Sequence, residues 1–241
     1  VILFSDCTHK TPYTNRSQLI LMSSQEELAL GEKSYKESLS ELKVITGTKD
    51  ALRVQTIGQK IAVAANQPNY KWEFNLVEDN QANAFCLPGG KVVVYTGILK
   101  YAKNDDQLAT VISHEVAHAL ARHGAERVTQ GMIQQGVGLI GSVAVAATAP
   151  QYQNAFNQAY GLGSNLGVML PYGRMQESEA DEIGIYLMHK AGYNVNEATK
   201  FWENMSEGKS GGNDFFSTHP SSQNRTKDIQ TVINKIGNEA K

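Results

Sequence analysis

His114 and His118 stand four positions apart, with Glu115 directly after the first, in the run "TVISHEVAHALARHG" over residues 110–124. On an α-helix, residues four apart lie one turn above each other, so both imidazoles can aim at a single metal ion. Glu115 is rotated from His114 by about 100°, which sets it beside such a metal rather than on it. That is the place for a general base, able to take a proton from water that zinc has acidified and return it to a leaving amine. A His-Glu-x-x-His helix is the signature of a zinc protease; an amphipathic helix holding the same letters by chance would do no chemistry.

A catalytic zinc also wants a third protein ligand and an open position, commonly two histidines and a glutamate plus water. The best candidate lies in "ESEAD", where Glu177 and Asp181 share a helix face and Glu179 lies about 200° around from Glu177. On this reading Glu177 binds the metal and Asp181 accepts the free ring N–H of a ligand histidine, fixing its tautomer. A solvated acidic face is the competing reading. On a continuing helix His123 points away from the ligand face, so it is expected at the surface. The metzincin pattern is excluded, because Ala121 and Gly124 stand where it needs glycine and histidine.

These side chains need elements to hold them. Ser24 to Leu42 has helical periodicity with Leu28, Tyr35, Leu39 and Leu42 on one face, and Asp50 to Asn66 follows with Leu52, Ile57, Ile61 and Ala65 inward. Trp72, Phe74 and Leu76 alternate with polar neighbours as a half-buried strand does. Pro88-Gly89-Gly90 is turn chemistry between short strands at Ala84 to Leu87 and Val92 to Tyr95. Asp105 or Asp106 can cap the motif helix. From Val128 to Gly173 there is no charged residue and no histidine. This stretch reads as two helices broken at Pro150, since its apolar run "VGLIGSVAVAATA" falls short of the about 20 residues that a membrane span needs. A helix over 174–191 turns Ile183, Leu187 and Met188 inward and stops at Gly192. A short helix from Glu197 to Met205, the loop "EGKSGGND" and a last helix capped by Ser221 or Ser222 complete the chain. The fold class is α+β, mostly helical with a small sheet, with one domain over 24–241 and an arm over 1–23 lying on its surface.

The chain has 241 residues, of which 41% are hydrophobic and 19% charged, the balance of a globular protein. Its 22 basic and 24 acidic residues give a formal charge of −2 with no dense Lys/Arg stripe, which argues against a nucleic-acid partner. Cys7 and Cys86 are too few for a disulfide scaffold. "VILFSDC" has the apolar run of a secretory signal ending at a lipidated Cys7, although Asp6 fits that pattern poorly.

His-Glu-Val-Ala-His and the later "ESEADEIG", with "NAFCLPGGKVVVYTGIL" before them and "STHPSSQNR" after, resemble segments of the gluzincin metallopeptidases. That family includes the CAAX prenyl proteases, HtpX, and the Oma-type and BepA-type proteases. The resemblance implies a zincin-like metalloprotease domain with one zinc ion per chain, held by His114, His118 and Glu177. It makes Glu115 the catalytic base and Asp181 the partner of a ligand histidine. It also points at His219, which opens a His-Pro-x-x-x-x-Arg pattern completed by Pro220 and Arg225. In similar proteins this histidine either donates to the oxyanion or sits on zinc as a fourth ligand that blocks water, and the two roles have opposite effects on rate. The strand at Asn83, Ala84 and Phe85 would hold an extended substrate by main-chain hydrogen bonds. The implied partners are polypeptides, unfolded or misassembled envelope proteins among them. The implied location is the bacterial periplasm or cell envelope, with membrane association through a lipidated Cys7 or a peripheral surface. A second reading is a periplasmic chaperone-like protein with latent or residual zinc proteolysis; Glu115 favours an enzyme, because a structural metal needs no base.

Overall fold

The computed structural model describes residues 8–134, 149–160, 171–207 and 215–239. Strands β1 (Thr8–Lys10) and β2 (Ser17–Leu19) form a hairpin, followed by helix α1 (Ser24–Glu41), β3 (Val44–Ile45) and α2 (Lys49–Ala65). Strands β4 (Glu73–Val77), β5 (Ala84–Leu87) and β6 (Lys91–Tyr95) lead through a 3₁₀ turn to α3 (Asp105–Leu120) and α4 (His123–Gln134). Five more helices follow: α5 (Ala149–Tyr160), α6 (Arg174–Lys190), α7 (Glu197–Glu207), α8 (Phe215–Thr218) and α9 (Arg225–Glu239). The architecture is α+β and mostly helical, as expected.

The main sheet has the order β3-β4-β6-β5, with β4 and β6 parallel and the other pairs antiparallel. Because side chains alternate along a strand, the register places Phe74, Leu76, Val92, Val94, Ala84 and Cys86 in a core shared with α2, α3 and α6. Val77, Val93 and Leu87 join a second core with Tyr35 of α1, Val128 of α4 and Phe156 of α5. Helices therefore cover both faces of the sheet, and β5 is left as an edge.

Several local expectations give way to packing and capping. Asn104, rather than Asp105 or Asp106, caps α3 by accepting from the Gln107 N–H at 2.8 Å, and the two aspartates occupy the first turn, where they favour the helix dipole. Neither Ser221 nor Ser222 caps the last helix, which begins at Arg225; the Ser221 hydroxyl donates to the Ser222 carbonyl instead. Leu52 is 54% exposed, because the inward face of α2 is set by Ala51, Val54, Ile57, Gly58 and Ile61. On α1, Gly31, Ser34, Tyr35 and Ser38 are buried, while Leu28 and Leu39 are half-buried. Pro150 sits in the first turn of α5, where its missing N–H costs nothing, so it opens that helix. The stretch expected as a surface arm includes β2, and Gln18, Ile20 and Met22 are buried. Cys86 is a free, buried thiol, whereas Cys7, most of "VGLIGSVAVAATA" and most of "EGKSGGND" lie outside the described residues. Among the described residues no helix is long and apolar enough to cross a membrane.

The fold positions the site mainly by laying α3 against α6. A Cβ at Gly184 would meet the His114 nitrogen and the Ser113 hydroxyl at 3.3 Å, so glycine is what lets α6 come this near the motif helix. Gly184→Val should destabilise the protein by about 1–3 kcal/mol through overpacking, read as a fall in the urea midpoint with the m-value unchanged. A midpoint at or above the parent's would show that the two helices have slack there.

Candidate metal centre

Helix α3 is buried along almost its whole length, so its polar side chains are enclosed by protein: His114 is 1% exposed, Glu115 0% and His118 1%. Their positions follow from helical phase, and Glu177 and Asp181 reach them from α6. Three of the expected residues, His114, His118 and Glu177, converge with His219 so that four ligand atoms lie within 4.8 Å of one another. The His114 and His118 Nε2 atoms are 3.0 Å apart. Glu177 comes within 3.3 Å of His114 and 3.2 Å of His118. His219 Nδ1 is 3.0 Å from Glu177 Oε1 and 3.4 Å from His114 Nε2. A tetrahedron of nitrogen and oxygen ligands around zinc has edges of roughly 3.3 Å, from bonds of about 2.0–2.1 Å. This donor set fits zinc by both chemistry and spacing.

The atoms around the ligands decide which nitrogen each histidine offers. His114 Nδ1 lies 2.9 Å from Asp181 Oδ1, so it donates there and Nε2 is the nitrogen turned toward the cluster. Asp181 is itself held by Arg225, whose Nε and Nη2 donate to it at 2.8 and 2.7 Å and whose guanidinium stacks 3.4 Å over Trp202. Behind His118 stands His123, contrary to expectation: it is buried, with Nδ1 2.8 Å from His118 Nδ1 and Nε2 2.9 Å from Glu179 Oε2. The helical-phase reading fails there because α3 ends at Leu120. Arg122 takes a left-handed φ of 55°, and the chain turns His123 back into the protein at the head of α4. His219 comes from the end of α8, where Phe215 stacks on it at 4.2 Å, and Tyr172 stacks on His118 at 3.8 Å.

The charges in the cluster are coupled: the carboxylate is held ionised, and positive charge is favoured beside it. Burial alone would raise the Glu177 carboxyl, but His219 and His114 hold it well below the usual carboxylate range. Burial acts to lower His114, but Glu177 and Asp181 outweigh it and hold it up at about 9. His118 is pushed well below the imidazole range by burial. Glu115 is raised, chiefly by burial, and among the described residues both of its oxygens are buried without a hydrogen-bond partner. A buried carboxylate with free lone pairs, 3.6 Å from His219 Nε2 and next to the ligand cluster, suits a base that waits for a proton.

Of the remaining expected residues, Arg225 lies behind Asp181 rather than among the ligands. Asn83, Ala84 and Phe85 lie at or beside the start of edge strand β5, where Ala84 is buried and Asn83 and Phe85 are half-buried. The sequence reading misses Tyr172, Trp202 and the pairing of His123 with Glu179. The near-opposite phase of Glu179 and Glu177 is the one signal that could have suggested a second direction for that helix.

The sequence profile of peptidase family M48 matches residues 48–233. The chain is 36% identical over 225 residues to the mitochondrial metalloendopeptidase OMA1 of Schizosaccharomyces pombe, covering 91% of this chain and 64% of that protein. It is 32% identical over 262 residues to the same-named protein of Saccharomyces cerevisiae, covering 97% and 73%. It is 26% identical over 239 residues to the beta-barrel assembly-enhancing protease of Escherichia coli, covering 97% of this chain and 49% of that protein. The chain thus spans between about half and three quarters of the length of these relatives. The mitochondrial names of the more similar relatives overturn the expectation of a bacterial periplasm or cell envelope. With the matched profile running through the His-Glu-x-x-His helix, the Glu177 helix and His219, the chain belongs to peptidase family M48, whose metalloproteases use zinc.

Proposed function

We propose that this chain is a zinc endopeptidase acting on unfolded or misassembled polypeptides, with His114, His118 and Glu177 as ligands and Glu115 as base. The observation that carries the reading is the convergence of those three side chains beside a buried carboxylate whose oxygens make no hydrogen bond among the described residues. Zinc held there would acidify water and polarise the scissile carbonyl. Glu115 would take the proton from the attacking water and deliver it to the departing amine. The edge of β5 at Asn83, Ala84 and Phe85 supports an extended substrate, because its outer side has no strand partner among the described residues.

In this proposal His219 holds the fourth position at rest and leaves it before water can bind and be activated. What supports it is the placement of Nδ1 at ligand distance from Glu177 and His114, which fills the tetrahedral corner that water needs for hydrolysis. The same placement favours latent proteolysis as a second reading, in which the chain binds polypeptides and cuts them only when His219 withdraws.

Glu115→Gln should retain zinc in metal analysis and lose at least about 100-fold in cleavage of an unfolded protein substrate. Zinc retained with cleavage unchanged would sink the enzyme reading. His219→Ala should raise cleavage by freeing the fourth position, and a loss of activity instead would make His219 the oxyanion donor. Asp181→Asn removes the charge that buried Arg225 pairs with, so it should cost about 3–5 kcal/mol in stability. It should also weaken zinc binding by about 10–100-fold, measured by chelator competition.

A further inference from the structure

Arg16, in the turn between β1 and β2, lies outside the residues matched by the family profile, yet it reaches two carboxylates beneath the site. Its Nη1 and Nη2 donate to Glu126 of α4 at 2.7 and 2.9 Å, and its Nε donates to Glu179 Oε2 at 2.7 Å. Thr11 Oγ1 donates to the other Glu179 oxygen at 2.8 Å, and the Thr14 hydroxyl donates to that same oxygen. Gln18 of β2 anchors the hairpin by donating to the Ala121 carbonyl at 2.6 Å.

The polarity of this network runs one way. Arginine can only donate, so Glu179 is held as an acceptor on both oxygens, and Oε2 accepts a hydrogen bond from His123 Nε2–H. His123 then has only a lone pair on Nδ1, which accepts from His118 Nδ1–H at 2.8 Å. That leaves His118 Nε2 unprotonated, facing His114 and Glu177. We propose that the β1–β2 hairpin is a working part of the metal centre: Arg16, with Thr11 and Thr14, is a positioning group that sets the tautomer of the zinc ligand His118 through Glu179 and His123. The inference rests on the zinc-site reading above. Arg225 and Asp181 stand directly behind His114, so each motif histidine is backed by an arginine–carboxylate pair, His118 through His123, and the arginine of that second pair comes from outside the matched region.

The test compares the zinc dissociation constant, by chelator competition, and the visible spectrum of the Co²⁺ form among the parent chain, Arg16→Gln, Arg16→Lys, His123→Phe and the Arg16→Gln/His123→Phe double variant. Arg16→Gln should weaken zinc binding about 10–100-fold and alter the Co²⁺ spectrum with helical circular dichroism unchanged. Arg16→Lys should recover part of the loss, because it keeps the charge without the two-way fork. His123→Phe breaks the relay while sparing the Arg16 ion pairs. It should weaken zinc to a similar degree, and adding Arg16→Gln to it should cause little further loss if the two act in one line. Arg16→Gln folded and binding zinc within twofold of the parent would overturn the proposal, as would full additivity in the double variant. If Arg16→Gln does not fold, an unchanged zinc affinity in His123→Phe overturns it. A parent chain that binds no zinc would sink the metal-site reading and this inference together.

Discussion

The structure turns on one electrostatic constraint: three imidazoles and a carboxylate are gathered in the interior with neighbouring ligand atoms 3.0–3.4 Å apart. Lone pairs aimed at one another this closely repel, and burial removes the water that would relieve them. The arrangement is stable only with protons or a cation among the ligands, and the outward nitrogens of the two motif histidines are tied to acceptors outside the cluster, His114 Nδ1 to Asp181 and His118 Nδ1 to His123. The surrounding elements supply those acceptors. Helix α6 supplies Glu177 toward the cluster, Asp181 toward His114 and Glu179 toward His123, three carboxylates pointing in three directions from less than two turns of helix.

Burying those carboxylates moves the problem outward. Each must itself be compensated, and a lysine's single point charge would not serve two oxygens as well as a planar fork does. Arg225 meets Asp181 through two nitrogens, while Arg16 divides its fork between Glu179 and Glu126. These pairs are largely enclosed, where losing one partner leaves an uncompensated charge, so they tie α3, α4, α6, α9 and the N-terminal hairpin to a common geometry. Apolar packing gives the same elements their bulk stability. The charged network sets how precisely the imidazoles are aimed.

What could be read from the sequence follows from how local each feature is. The relative placement of His114, Glu115 and His118 on one helix, and of Glu177 and Asp181 on another, needs only helical phase over one turn, and strands β5 and β6 need only turn chemistry and alternation, so these elements emerge at nearly their observed bounds. His123 defeats the same reasoning, because its direction depends on one left-handed residue, Arg122, that nothing in the local pattern announces. Leu52 fails for another reason: helix periodicity alone does not say which of two neighbouring apolar stripes meets the sheet, and Phe74 seated against Gly58 decides it. His219 and Arg225 are joined to the site across more than 100 residues from His114, a distance over which spacing carries no information; only the family resemblance reaches them.

The surroundings of His219 bear on how a fourth ligand could leave. Phe215 lies parallel to its ring at 4.2 Å with an interplanar angle of 11°, and Tyr172 lies on it at 5.0 Å. Its backbone N–H donates to the Phe215 carbonyl at 2.8 Å, while the Thr218 carbonyl accepts from the Tyr172 N–H at 2.9 Å. With aromatic rings against it, the imidazole has little freedom to rotate away alone, and swinging it out would press it into close-packed neighbours. On the fourth-ligand reading, opening the site therefore means displacing the short helix α8 together with Phe215, which itself packs on Trp202, the ring beneath Arg225. Release of His219 would then disturb the stacked arginine that holds Asp181, and through it His114. On that reading the residue that closes the site and the network that aims the motif histidines would share one aromatic cluster, which would couple opening to ligand geometry.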